Sequence, residues 1–201
     1  MNNRIHQILD QISALENELH TAIEQEGGRL RYQLEGKRVT FERTIKEAHL
    51  KVRMSVLRWF LTVRPQNFLT APIIYGMIFP LVLFDLFVTF YQATCFPIYR
   101  IAKVRRANYI VMDHQHLAYL NIIEKVDCMY CSYAVGLLGY ASEITARTEQ
   151  YFCPIKHARK ILGANSRYKD FLSYGDADDL HDKVEEFRAA LAREDESDIT
   201  K

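Results

Sequence analysis

The chain has 201 residues, enough for one domain or for a small domain with helical appendages, and its 49% hydrophobic and 25% charged residues argue against a wholly disordered protein. Its eight glycines and five prolines are too few for a collagen-like, linker-dominated or many-turned all-β chain. The formal net charge of +1 hides strong segregation: residues 1–26 carry −4, residues 29–64 carry +7, residues 65–99 hold one charged side chain, and residues 166–201 carry −5.

The first 64 residues have the periodicity of two amphipathic helices, an acidic arm (residues 1–26) and a basic arm (residues 29–64). The simplest arrangement is an antiparallel helical hairpin that turns at Gly27 and Gly28 and is held mostly by apolar burial, because exposed ion pairs contribute only about 0–1 kcal/mol each. The acidic arm could equally pair two copies of the chain, so a homo-oligomer through the N-terminal helix stays open. Its heptad positions are Ile5, Ile8, Ile12, Leu15, Leu19 and Ala22.

The basic arm predicts contact with anionic lipid headgroups rather than with nucleic acid. A long positive strip is the usual footprint of a nucleic-acid-binding protein. This strip, however, runs through Arg58 and Arg64 into the most apolar segment of the chain, where cations typically gain about 1 kcal/mol each from an anionic membrane surface. A solvated helix face without a ligand is the simpler alternative. The N-terminus lacks the apolar stretch of a secretory signal, so we expect the first residues in the cytosol.

Residues 65–99 predict a membrane-embedded segment. Thirty-five residues with a single ionisable group are too many for a soluble core helix, whereas one span needs about 20 residues and two spans need about 40 plus a turn. Gly76 and Pro80 interrupt a helix near the middle of the segment. A re-entrant or monotopic hairpin, broken between these two residues, fits both the length and the composition. One tilted span and a buried pair of soluble helices are the alternatives.

Basic residues flank this segment on both sides. Clusters of Lys and Arg mark the cytoplasmic side of a membrane segment, so both ends are expected on that side, as a hairpin requires. The flanking cations are Arg58 and Arg64 before the segment, and Arg100, Lys103, Arg105 and Arg106 after it.

Asp85 is the one charged residue inside the segment. A charge in hydrocarbon costs several kcal/mol, so this carboxyl group must pair, become protonated or face protein. It is interpreted either as a proton or ligand site or as an acceptor of hydrogen bonds from the broken hairpin backbone.

Residues 100–175 are predicted to form a cytosolic helical region that carries cysteines and histidines. The spacing is C-x2-C, twenty-one residues, then C-x3-H, which supplies a tetrahedral ligand set with zinc as the default metal and an iron–sulfur cluster not excluded. The third cysteine is expected to cap the N-terminus of a short helix. The four predicted ligands are Cys128, Cys131, Cys153 and His157.

A shared metal site requires the chain to double back. One straight helix over residues 132–151 would hold the two halves of the site about 30 Å apart, so Gly136 and Gly139 would have to break it. In a second arrangement, a hairpin that turns at the CxxC sequence brings the last two ligands to His114 and His116 and leaves the two other cysteines as a separate dithiol. A chain without metal is the third possibility.

The C-terminal residues 176–201 predict an acidic surface helix with a frayed end. The whole pattern is therefore all-α: an N-terminal helical hairpin, a membrane hairpin, a Cys/His helical region and a final helix. The apolar stripe of the final helix is Leu180, Val184, Phe187 and Leu191.

Within residues 65–162, around YIVMDHQHLAYLN, CMYCSYAVGLLGY and YFCPIKHARK, the chain resembles an uncharacterised family of bacterial membrane-associated proteins with a CxxC…CPxxH pattern. The resemblance implies a bacterial inner-membrane setting and brings no activity with it. Three functions fit the residues: a membrane-anchored zinc protein of structural or adaptor type, a membrane-bound thiol oxidoreductase that uses Cys128 and Cys131, and a lipid-surface scaffold without metal.

Overall fold

The protein is mostly helical, which confirms the all-α prediction. It divides into two units, Met1–Thr62 with Asp113–Val126, and Val63–Met112 with Asp127–Lys201. The structure is a computed structural model, and the residues that it describes are 11, 14–15, 17–19, 21–22, 32–35, 38–41, 43–62 and 64–194.

The periodicity predicts one helix over the basic arm of the first unit, and the structure differs. It holds a two-stranded antiparallel hairpin, β1 (Tyr32–Glu35) and β2 (Arg38–Phe41), in which Tyr32 pairs with Phe41. Two helices follow, α1 (Arg43–Val52) and α2 (Val56–Thr62). Glycine costs a helix interior about 1 kcal/mol, so Gly36 argues against one continuous helix over the basic arm.

The acidic arm lies mostly outside the described residues. Its described positions, 11, 14–15, 17–19 and 21–22, are all helical, and the side chains of Leu15 and Leu19 are exposed. The turn at Gly27 and Gly28 and three of the six heptad positions fall on residues that are not described, so self-association through this helix stays a prediction.

The apolar segment of the second unit continues in one direction and does not reverse, so the predicted hairpin is wrong in its geometry. Helices α3 (Pro65–Gly76) and α4 (Ile78–Tyr99) are joined by one residue, Met77, whose φ of −62° and ψ of −14° are helical. The N–H of Met77 donates to the carbonyl oxygens of Ile73 and Ile74 at 3.3 and 3.2 Å. Glycine and proline therefore mark an interruption of the hydrogen-bond ladder where they were expected to, but the helix passes through it.

After α4 the chain turns back along the helix that it has just left. Arg100 ends α4 in the left-handed region with a φ of 56°, and the N–H of Ile101 donates to the carbonyl oxygen of Phe96 at 2.9 Å. Residues 100–106, here called the return segment, bury the side chains of Ile101 and Val104 and lead into the short helix α5 (Arg106–Tyr109).

Replacing Arg100 tests the left-handed helix end. Arg100→Val is expected to lower the free energy of unfolding by about 1–2 kcal/mol more than Arg100→Gly does, because a β-branched residue is strained at positive φ and glycine is not. Both variants lose the same charge, so their difference in denaturant unfolding isolates the backbone effect. Equal stabilities would contradict this helix end.

Helix α6 (Ile122–Phe152) is continuous over 31 residues. A shared metal site required a break at Gly136 and Gly139, and the helix has none there. Its start is capped by Asn121, whose side-chain oxygen accepts from the N–H groups of Ile123 and Glu124 at 2.9 and 3.0 Å. Gly136 instead allows close packing, because a Cβ atom there would lie 2.5 Å from the carbonyl oxygen of Tyr109.

The C-terminal part of the chain packs back on α6. Ile155 and Leu172 form a parallel bridge, a 3₁₀ turn spans Ser166–Asp170, and the final helix is α7 (Leu180–Arg193). The predicted stripe of α7 faces inward, which confirms the amphipathic helix. The core of this unit is formed by Phe96, Ile101, Val104, Leu137, Tyr140, Ile144 and Leu191.

Candidate membrane-binding site

The continuous helix Pro65–Tyr99 presents an apolar stripe to its surroundings. Its most apolar window has a mean hydropathy of 2.2 and is only 6% buried, and this helix is long and apolar enough to cross a membrane. The most exposed large apolar side chains fall on one broad face of the helix, at about 100° of rotation per residue. This outer stripe, with side chains 55–81% exposed, consists of Leu69, Ile73, Phe79, Leu83, Leu86, Phe87, Phe90 and Ile98.

The opposite face of the same helix packs on protein, and it carries Asp85 and Gln92. Leu81, Asp85, Val88, Gln92 and Phe96 lie three or four residues apart and are buried or half-buried. Asp85 and Gln92 face the interior while large apolar side chains face outward, which is the reverse of a soluble amphipathic helix. Ionisable residues of membrane helices have this orientation.

Asp85 is buried, with 7% of its surface exposed, and three side chains donate to its carboxylate. Arg106 Nη1 lies 2.5 Å from Oδ1, Tyr133 Oη lies 2.8 Å from Oδ2, and Thr89 Oγ1 lies 3.2 Å from Oδ1. These three donors are side chains, whereas one interpretation had predicted donors from the freed hairpin backbone. The hydrogen bond from Arg106 to Asp85 raises the pKa of Arg106, so the pair is held in its charged form.

Gln92 fixes the return segment against α4. Its side-chain oxygen accepts from the N–H of Val104 at 2.7 Å, and its Nε2 donates to the carbonyl oxygen of Val104 at 3.3 Å and to the hydroxyl of Tyr140 at 2.8 Å. The amide side chain therefore satisfies both backbone groups of a buried residue outside regular structure. Because Phe96, Gln92 and Asp85 bind Ile101, Val104 and Arg106 in turn, the return segment runs antiparallel to the helix.

A buried ionic cluster joins α6 to the C-terminal part of the unit. Arg147, 1% exposed, donates to Glu143 at 3.0 Å and to the carbonyl oxygen of Ala102 at 2.5 Å. Arg167 donates to Glu143 and to both carboxylate oxygens of Glu194 at 2.6–3.0 Å. Burial alone lowers the pKa of Arg167, but the hydrogen bonds to Glu194 and Glu143 outweigh it and raise that pKa, so the guanidinium stays charged.

The predicted flanking cations do not all have the same surroundings. Arg58 and Arg64 are exposed before the apolar segment, and Arg100, Lys103 and Arg105 are exposed after it. Arg106 has a side chain 44% exposed and is the partner of Asp85, so it lies beside the middle of the helix rather than at its end. Pro80 is exposed on α4.

The structure does not bring the four predicted metal ligands together. Cys128 and Cys131 lie one turn apart in α6, whereas Cys153 follows the end of that helix about 33 Å further along its axis. Cys153 is not an N-cap: its N–H donates to the carbonyl oxygen of Glu149, and residues 154–156 are extended beside Leu172.

The histidines of the two predicted arrangements lie in different units. The ring of His157 stacks on Tyr168, and the backbone N–H of His157 donates to the tyrosine hydroxyl at 2.6 Å. His114 and His116 belong to a 3₁₀ turn of the first unit. Within the described residues, no group of three or more His, Cys, Asp or Glu side chains is placed to hold a metal ion.

Sequence reasoning missed Gln92, Tyr133 and Arg167. Asp85 signalled that a donor had to be near, but four cations within residues 100–106 were equivalent candidates, and nothing local pointed to Tyr133.

No family model matches the chain, and no match was found among curated proteins or among solved structures.

Proposed function

We propose that this protein is a membrane-anchored structural or adaptor protein, held on the cytoplasmic face of a bacterial inner membrane by the helix Pro65–Tyr99. The observation that carries the proposal is the orientation of this helix, with Asp85 and Gln92 turned into the protein and eight large apolar side chains turned outward. A contiguous apolar surface of this kind marks a membrane or protein contact. Internal pairing of the one charged side chain favours the membrane, because it removes the main penalty for entering lipid.

A monotopic position fits this helix better than a full span. The helix is about 52 Å long against a hydrocarbon core of about 30 Å. A span that included residues 85–99, beside which the return segment lies, would also draw exposed Arg100 and Lys103 into hydrocarbon, where a Lys or Arg costs about 2.5–3.5 kcal/mol. When only the outer stripe enters the leaflet, these cations remain at headgroup level, where they bind anionic lipids.

A charge in the outer stripe tests the anchor. Phe87→Glu is expected to lower the fraction of the protein that floats with phosphatidylglycerol-containing vesicles about tenfold or more, because a carboxylate would have to enter hydrocarbon. Leu162→Glu is the control, since Leu162 is 92% exposed but lies outside the helix. It should float like the wild type.

Two outcomes would reject the anchor. One is a wild-type chain that stays soluble without detergent and does not float. The other is a Phe87→Glu variant that floats as well as the wild type. Protease sites placed before Pro65 and after Tyr99 test the monotopic position, because both should be cut from the cytoplasmic side of inner-membrane vesicles. Sites cut from opposite sides would replace it with a span.

Zinc binding and thiol chemistry remain separate predictions. The continuous helix α6 gives less support to one zinc ion shared by Cys128 and Cys153. A reversible disulfide between Cys128 and Cys131 would favour the thiol oxidoreductase. Elemental analysis of protein purified under reducing conditions distinguishes them: one tightly held zinc per chain favours the metal protein, and metal-free protein with a redox-active CxxC favours the oxidoreductase.

A further inference from the structure

A groove of about 660 Å³ runs along one side of α4, next to the ion pair. The groove is more open than enclosed, so it suits a chain laid along the helix rather than a fully buried ligand. Six of the eight lining residues are uncharged residues of α4, and the other two are Asp85 and Arg106, which form the ion pair. The lining residues are Ile78, Phe79, Val82, Leu83, Asp85, Leu86, Thr89 and Arg106.

The groove is lined along α4 by apolar side chains and has a cation, Arg106, at one edge. Asp85 has a side chain only 10% exposed and faces Arg106 and Tyr133, so a ligand meets little of the carboxylate. Arg106 has a side chain 44% exposed, and its guanidinium has further N–H groups besides the one that donates to Asp85. A molecule with an anionic head and an apolar chain matches both parts.

The return segment that carries Arg106 is strongly cationic. Residues 100–106 hold four cations and no acid, and Asp85 neutralises one of them. Lys103 is exposed on the same return segment. An anionic head is therefore attracted even though Arg106 is already paired.

The groove is continuous with the proposed membrane face. Phe79, Leu83 and Leu86 line the groove and also belong to the outer stripe. The apolar chain of a ligand in the groove can thus extend directly into a leaflet that covers the outer stripe. This continuity favours a membrane lipid over a water-soluble ligand.

We propose that this groove binds an acyl chain of one anionic phospholipid, with the headgroup phosphate against Arg106. The inference rests on the proposed membrane anchor and adds to it a specific lipid site. Arg is suited to this role, because its planar group donates to phosphate while it keeps its bond to the carboxylate.

Lipid retention in detergent tests the site. The full chain, purified in a neutral detergent, is offered equal amounts of phosphatidylglycerol and phosphatidylcholine, and the bound lipid is counted by native mass spectrometry. We expect about one phosphatidylglycerol per chain and a preference of about fivefold or more over phosphatidylcholine. Val82→Trp, which fills the groove, should lower retention about tenfold. Ile98→Trp, an exposed aliphatic residue of α4 outside the groove, should leave it unchanged.

A second variant isolates the charge. Arg106→Gln alone would leave Asp85 buried without its cation, so it is combined with Asp85→Asn, which keeps hydrogen-bonding groups on both sides. The double variant should still float with vesicles but lose its preference for phosphatidylglycerol.

The lipid site is overturned if the wild type retains both lipids equally, or if Val82→Trp retains as much phosphatidylglycerol as the wild type does. A double variant that keeps its full preference would also overturn it. These results differ from a failure of the anchor. A chain that does not float at all rejects the anchor, whereas one that floats without retained lipid rejects the groove alone.

Discussion

Replacing Gly136 with alanine is expected to lower the free energy of unfolding by about 3 kcal/mol, the upper end of the usual range for overpacking. A Cβ atom at this position would lie 2.5 Å from the carbonyl oxygen of Tyr109 and 2.9 Å from the Cα atom of Ile110. Both are backbone atoms, so no side-chain rotation relieves the clash. The segment that follows the return segment would have to move away from α6 and would loosen the packing of Tyr140 against it.

Two other glycines are matched controls for this prediction. Gly139→Ala meets only a ring carbon of Tyr109 at 3.3 Å, which can give way, and Gly76→Ala meets nothing within 4 Å. Both lie in helices, where alanine is favoured over glycine by up to about 1 kcal/mol. Thermal unfolding in detergent should rank Gly136→Ala far below the other two. A Gly136→Ala variant as stable as the wild type would contradict the close approach to Tyr109.

The role of Gly136 could not be predicted from its neighbours in sequence. A glycine inside a helical pattern indicates either a break or a site where another backbone comes close, and the two are alike locally. The deciding contact is with Tyr109, 27 positions earlier, beyond any helical or strand period. The same glycine that was expected to bend the chain toward a metal site lies inside the continuous helix α6, whose length separates Cys131 from Cys153.

The apolar segment was predictable in its boundaries but not in its direction. Composition alone located it at residues 65–99, and Gly76 and Pro80 located its interruption. Whether a chain reverses at such a point depends on the φ and ψ of very few residues, and Met77 is in the helical region. By contrast, α7 followed directly from its stripe, because an amphipathic period is a local property.

Replacing Arg167 with leucine is expected to destabilise the C-terminal helix by about 3 kcal/mol, the lower end of the range for breaking a buried ion pair. This guanidinium donates to Glu143 on α6, to Gln150 about two turns further on, and to Glu194 at the end of α7. Its side chain is 12% exposed, so water replaces few of these bonds. The carboxylate of Glu143 would keep Arg147 as a donor, whereas the bidentate bond to Glu194 would be lost.

Hydrogen exchange of the α7 amides in the full chain measures this effect. Arg167→Leu should speed exchange within Leu180–Arg193 by about a hundredfold, while the amides of α4 change little, because the lost bonds hold α7 and not the apolar helix. Arg193→Leu removes an exposed cation from the same helix and is expected to have no such effect. Arg167→Lys should fall between the two, since an ammonium keeps the charge but cannot match both oxygens of Glu194 together with Glu143. Equal exchange in Arg167→Leu and Arg193→Leu would mean that apolar packing of Leu191 and Phe187, rather than the ionic cluster, holds this helix in place.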